Sequence, residues 1–457
     1  LETQDGRYLA ALQASERARS RVLLDILTAG PEQVDRAMTD AEQNEERSIR
    51  ARISTINASL ATAKPGGTAA AAKNRDAAWH DYETFLAALY VRHPELRTWR
   101  GDSPVVSERE LVSLVPDGKT ALVEYLSDED ETLMFVVTRD SSSGIRVTAH
   151  RIAMGRGQLG RETAAFRNLL EMRDPGFRAS ARSLYDALPG AAAELRGKSR
   201  IYLVPDGPLW GMPFQALLSP ANRYWVEDAT ISYAPSLTFL RDQVRSATET
   251  RTFSLDLFAM GDPARAETPS IPSLREQISE IGALYGGGSR VSLRVGADAT
   301  ETAFKQMAPS ARVIQIAAHG EVDGRNALHS RVILASSGAA ERREDGWVEA
   351  WEIMRMNLNA DLAVLSACET GRGQAAGGEG LLGLEWALFV SGVRTAIVSQ
   401  WRVESESTAG LMVGLHRRLR DGEAPAQALR GSVLALMKNP RYRHPMYWAG
   451  FVSAGLR

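Results

Sequence analysis

The feature that most limits what this chain can fold into is a unit repeated from residue 248 onward. Short apolar runs, "LDLFAMG", "VIQIAAHG", "LAVLSACETG" and "RTAIVSQW", each end in small or polar residues. Helical patterns lie between them: "SLREQISEIGALYG", "ATETAFKQM", "EGLLGLEWALFVSG" and "ESTAGLMVGLHRRLRDG". Runs that are continuously apolar rather than alternating predict strands buried on both faces, and helical connections predict an open, mostly parallel sheet. Ligands gather at the carboxyl ends of the strands in such a sheet. The chain's unusual residues stand there.

Two strand ends carry chemistry. "VIQIAAHGEVDG" delivers His319 and Gly320, and "LAVLSACETG" delivers Cys368, the only cysteine in the chain. The stretch between them is long enough for one excursion and return, so neighbouring parallel strands would present both side chains at one edge. A free thiol titrates near about 8.5 and is mostly protonated at neutral pH; a nearby imidazole favours the thiolate or takes its proton as attack begins. His319 would then return the proton to the departing amine. The backbone N–H groups of Gly320 and Cys368 are the natural oxyanion donors, and glycine leaves room for substrate. The Gly-rich stretch 369–380 suits close backbone approach or a mobile rim, and Glu379 with Gly380 reads as a helix start. Taken singly, a lone cysteine at a strand end is most often a small hydrophobe and a His-Gly pair a turn. It is the pairing that points to nucleophilic catalysis. His80, His93, His150 and His416 read as surface or packing residues, His329 and His444 lie nearer the site in sequence, and no spacing among them suggests a metal site.

Upstream the pattern differs. "TALVEYL", "ETLMFVVT" and "GIRVTAHRI" read as an antiparallel meander, followed by helices around Phe166–Leu170 and before Pro189, then the strand "IYLVP" and the turn "DGPLWGMPF". Residues 1–104 read as helices, with "TAKPGGTAAAAK" as a hairpin between them and Trp79, Tyr82, Phe85, Leu86 and Leu89 forming one apolar face. The resulting division is a helical region 1–104, a mixed α/β segment 105–247 and an α/β segment 248–457. The excursion 322–347 reads as an exposed connector, and the segment around His444 as a packed terminus closing the sheet.

Composition narrows the partners. Hydrophobic residues are 44% and charged residues 24%, the balance of a globular chain, and a net charge of -2 gives no reason to expect nucleic acid. One cysteine excludes an internal disulfide and a paired-cysteine zinc motif. No apolar run reaches the roughly 20 residues of a membrane span and no signal-peptide pattern opens the chain, so the expected location is cytoplasmic. The start at Leu1 rather than Met suggests trimming, which leaves a leader or an upstream domain open.

At "AAHG", "DLAVLSACETG", "GGEGLLGLEWALFVSGVRTAIVSQW", "HPMYWAGFVSAG" and, upstream, "LVPDGPLWGMPFQAL" and "ISYAPSLTFL", the chain resembles the CHAT family of caspase-like cysteine peptidases, relatives of separase, caspases and gingipains. The resemblance runs from about residue 110 to 457; "ASERARSRVLLDIL" more weakly resembles the end of a tetratricopeptide array. It implies a caspase-like α/β sandwich with a Cys368–His319 dyad that cuts peptide bonds without metal or cofactor. Residues 105–247 would be a degenerate, non-catalytic half. Bacterial relatives imply defence or regulated cell death, with a protein substrate. Such families often read Trp-x-Val-x-Asp after the fourth strand, with the acid near the pocket for the residue before the cut. Here "WRVESEST" has Ser405 at that position, flanked by Glu404 and Glu406. Either glutamate would supply the charge, or both serve the helix N-terminus. Two other readings stay open: a catalytically silent scaffold that binds partners, with the N-terminal helices contacting a regulatory protein, and a thiol hydrolase or acyltransferase acting on a small molecule.

Overall fold

The computed structural model describes residues 7–17, 19, 38–49, 52, 74, 77–78, 80–82, 84–85, 87–89, 92–93, 105–140, 144–246, 250–265, 270–322, 327–336, 344–366, 379–401 and 403–456. The chain divides into two compact units, one of Leu1–Glu16 with Val105–Arg457 and one of Arg17–Pro104.

The strands are β1 Thr120–Ser127, β2 Thr132–Arg139, β3 Ile145–Ile152, β4 Arg200–Val204, β5 Thr230–Tyr233, β6 Leu255–Pro263, β7 Val291–Gly296, β8 Ala311–Ala317, β9 His319–Glu321, β10 Arg331–Ile333, β11 Trp347–Glu349, β12 Leu362–Leu365, β13 Thr395–Ser399 and β14 Phe451–Gly455. Eleven of them form one sheet in the order β3-β2-β1-β4-β5-β14-β13-β12-β8-β6-β7. Every residue of β12 and β13 is buried. Successive side chains point to opposite faces, so both faces are covered, as the continuous apolar runs require. The fold is the expected α/β class, a mostly parallel sheet flanked by helices.

Among the described residues, three pairings in this sheet are antiparallel: β1 with β2, β2 with β3, and β13 with β14. The first two are the meander. The third reverses direction in the middle of the sheet, because β14 runs parallel to β5 and antiparallel to β13. The upstream parallel set β1-β4-β5 therefore points opposite to the downstream set β13-β12-β8-β6-β7. The C-terminal segment closes the sheet from its centre rather than from an edge.

The helix before β1 and the start of the chain seal this unit. Leu12 is fully buried among Val106, Leu111, Val115, Leu122 and Leu240. The buried Glu16 carboxylate accepts from the N–H groups of Leu237 (2.9 Å) and Thr238 (2.8 Å), satisfying free donors at the start of the helix Leu237–Ser246. In the second unit, Phe85 and Leu89 are buried, and Tyr82 donates to Glu46 at 2.9 Å. Trp79, Leu86 and the 62–73 hairpin lie outside the described residues.

The excursion after β8 is not a plain connector. β9, β10 and β11 form a separate three-stranded sheet in the order β11-β10-β9. Val332 and Val348 alternate inward and are buried, which gives these short strands a reason to form.

Candidate active site

The strands β8 and β12 lie side by side and parallel, with Leu365 opposite Ile316. The ladder runs one step further, since the Ser366 N–H donates to the Ile316 carbonyl at 2.8 Å. His319 stands three residues past Ile316, half-buried, as the first residue of β9; Gly320, buried, is the second and faces Val332 on β10. In the sequence Cys368 follows Leu365 by the same three positions, but residues 367–378 lie outside the described residues. His319 is thus located, at the carboxyl edge of the downstream strands, and Cys368 is not.

Charged groups brace the wall beside His319. Arg331 on β10 pairs with Glu321 at 2.5 Å, and its guanidinium lies 3.9 Å over the Trp347 ring of β11. Behind them Lys305 bridges Glu301 (2.5 Å) and Glu352 (2.9 Å), while Glu301 also accepts from the Gly346 N–H at 2.8 Å. Burial pushes the Glu301 carboxyl up, with the Lys305 ammonium opposing it; burial works the other way on Lys305, whose hydrogen bonds to Glu301 and Glu352 hold its pKa above the usual lysine value. Gly346 has φ +83°, and a Cβ there would stand 2.7 Å from the Leu334 carbonyl, so only glycine passes this turn unstrained. At the end of the adjacent β6, buried Asp262 accepts from Ile271 N–H (2.7 Å), Ser270 Oγ (2.8 Å) and Arg275. Burial would raise its pKa, and these bonds, Arg275 first, hold it below the usual value.

The end of β13 supplies the other wall. Gln400 is buried and tied at three points: its N–H donates to the Gly450 carbonyl (2.7 Å), its side-chain Nε2 to the Trp210 carbonyl (2.8 Å), and its own backbone carbonyl accepts from Arg167 (2.8 Å). Burial lowers the Arg167 pKa, and its guanidinium lies 5.9 Å over the buried Trp401 ring. No sequence pattern marks these bonds, because a side chain bonding to distant backbone leaves no periodic trace. Beyond them, Glu404 is the N-cap of the helix Ser405–Arg420 and accepts from Ser407 N–H at 2.7 Å. Ser405 is the first helical residue, and Glu406 pairs with Arg441 at 2.9 Å, both side chains more than half exposed (59% and 61%).

The helix Glu379–Val390, which the sequence enters directly after the 367–378 stretch, is apolar nearly all round, and 384–389 are consecutively buried. Burial raises the Glu385 carboxyl on this helix to about 8. His416 is fully buried, and desolvation lowers it to about 3, so the ring is neutral. Its helical spacing marks a packing residue and gives no hint of the polar partners it meets, Gln315 on β8 and Tyr285. Of the other described histidines, His93 lies with Glu42 (3.3 Å), His150 with Glu194 (2.7 Å) and His329 with Glu349 (3.4 Å), His444 accepts from Met446 N–H (3.2 Å), and His80 is exposed on a helix. Among the described residues, no helix is long and apolar enough to cross a membrane.

The family model described as the CHAT domain matches residues 178–456. No curated protein matches the sequence. Among solved structures, two crystal structures of the Saccharomyces cerevisiae separase–securin complex align with TM-scores of 0.49 and 0.48 at 10% and 9% identity, over 89% and 97% of this chain. The chain spans only 37% and 40% of the matched chains. The Arg-specific cysteine proteinase gingipain R aligns with a TM-score of 0.39 at 9% identity, over 63% of this chain and 67% of its own.

Proposed function

Because the chain belongs to the CHAT domain family, whose model covers more than half of it, we propose that it is a cysteine endopeptidase with Cys368 as nucleophile and His319 as general base and acid. The observation that carries this reading is the β8–β12 register. Two adjacent parallel strands end together, and the imidazole and the thiol follow their last paired residues at the same count along the chain.

The Cys368 sulfur attacks the peptide carbonyl carbon while His319 takes the thiol proton. The oxyanion that forms is held by the Gly320 and Cys368 backbone N–H groups. As the C–N bond breaks, His319 passes its proton to the leaving amine, and a thioester remains. Water then attacks the thioester carbonyl, with His319 accepting its proton; the C–S bond breaks, the carboxylic acid product leaves, and His319 returns the proton to the Cys368 sulfur. The wall at 400–406 borders the substrate. Glu404 spends its carboxylate on the helix cap; Glu406, exposed beside an equally exposed Arg441, is free to exchange that partner for a basic side chain before the cut, next to Ser405.

In this reading 248–457 is the catalytic segment, 105–247 a non-catalytic half, and the helices of 1–104 a contact for a regulatory protein. The enzyme acts on a specific protein in the cytoplasm, where a thiol nucleophile stays reduced. A lysate is incubated with wild type and with Cys368→Ala, and new protein N-termini are mapped by mass spectrometry. Cuts made only by wild type support the reading and reveal the residue before the cut. An activator-supplemented series without any such cut leaves a silent scaffold instead.

A further inference from the structure

A continuous line of polar side chains, half-buried at Tyr285 and buried beyond it, runs to Ser366, two positions before Cys368 in the sequence. Gln315, in the middle of β8 and fully buried, donates through Nε2 to the Ile316 carbonyl (3.4 Å) and to Ser366 Oγ (3.2 Å). A carbonyl only accepts, so this contact fixes the orientation of the amide. Gln315 Oε1 then faces His416 Nε2 at 3.0 Å, which must carry the ring proton. The other ring nitrogen, Nδ1, lies 3.1 Å from the Tyr285 hydroxyl and accepts from it. Every donor in the series therefore points the same way, from Tyr285 through His416 and Gln315 to Ser366.

Apolar side chains would fill the same space without a desolvation penalty, and a buried polar network is tolerable only when each member is satisfied. This one joins three separate elements: Tyr285 follows the helix Pro272–Leu284, His416 sits on the helix Ser405–Arg420, and Gln315 is on β8. It ends on Ser366, held at both its backbone and its side chain, two positions before Cys368. Its outer end is accessible: Tyr285 lines a cavity of about 480 Å³ at the opposite edge of the downstream strands, with the Arg420 guanidinium 5.0 Å over its ring.

We propose that Tyr285, His416 and Gln315 are positioning residues that hold Ser366, and through that hold set the reactivity of Cys368, two positions on in the sequence. This rests on the reading of Cys368 as the nucleophile, but its test needs no substrate. Cys368 is the only cysteine, so the rate at which iodoacetamide alkylates the folded protein reports on that thiol alone. The rate is measured from pH 5 to 9 for wild type, Tyr285→Phe, Ser366→Ala and Ser366→Thr, with thermal unfolding of each as a control. Removing either hydroxyl is expected to change the rate at pH 7 by about threefold or more, and to move the midpoint of its pH profile, while the protein stays folded. Ser366→Thr, which keeps the hydroxyl, is expected to restore most of the wild-type profile. Profiles for Tyr285→Phe and Ser366→Ala that superimpose on wild type would overturn the proposal. Should Ser366→Ala not fold, Tyr285→Phe at the half-buried end decides alone. Failure of the wild type to cut any protein would count against the peptidase reading and leave this readout intact.

Discussion

The upstream and downstream parallel sets meet at β14 and share a sheet, yet their carboxyl edges are built to different ends. At the upstream edge, where β1 and β4 finish, Asp206 accepts from the Ser127 N–H at 2.8 Å, and Arg156 binds the Ser127 carbonyl at 2.9 Å while lying 3.5 Å from Asp206. The chain after β4 then returns over the sheet, and Gln215 donates to the carbonyls of Ala449 and Phe451 at the start of β14. That edge consumes its polar groups in tying strands together. At the downstream edge, β8 delivers a half-buried imidazole and β12 leads into the thiol's segment. The same strand geometry serves as a clamp in one half and, under the proposed reading, as a place for chemistry in the other.

The largest expected effect should appear in only one half. Cys368→Ala should bring cleavage to background, and His319→Ala should slow it by about 10²–10⁴-fold, with unfolding temperature unchanged; a stability loss matching the loss of rate would erase the contrast. Next comes Glu385, on the helix Glu379–Val390 of the downstream half, whose pKa rises on folding. The folded state keeps a proton that the unfolded state releases, so the stability it contributes is full below 4.5 and is lost as pH rises through about 8. The unfolding temperature of wild type should fall across that window, and Glu385→Gln should flatten the fall by the equivalent of a few kcal/mol at alkaline pH. In the upstream half, Asp206→Ala leaves the buried Ser127 N–H without this acceptor and should lower stability by about 1–3 kcal/mol in denaturant titrations, with little change in cleavage rate. A tenfold rate loss there would break the division of labour. Smallest is Glu404→Ala, about 1 kcal/mol from the lost cap.

Long buried strands were legible because their composition is dictated by burial on both faces: the runs at 313–320 and 394–401 contain β8 and β13 nearly whole. The meander was legible from its turns. The reversal at β14 was not, since "FVSAG" reads alike whichever neighbour it pairs with, and direction is set by contacts more than two hundred residues apart. The small sheet β9-β10-β11 escaped because three-residue strands carry too little pattern. Of the proposed dyad, His319 and Cys368 stood out by residue type, and only His319 lies among the described residues, whereas Gln315, Gln400 and His416 owe their hydrogen bonds to partners that only the fold brings near.

The central claim is that His319 acts on the Cys368 thiol. Its most direct test is the rate at which a peptide-based thiol electrophile adds to the protein, followed by intact mass. The account predicts one adduct per chain in wild type, none in Cys368→Ala, and addition slowed by at least about tenfold in a folded His319→Ala. Equal rates in wild type and His319→Ala would contradict it.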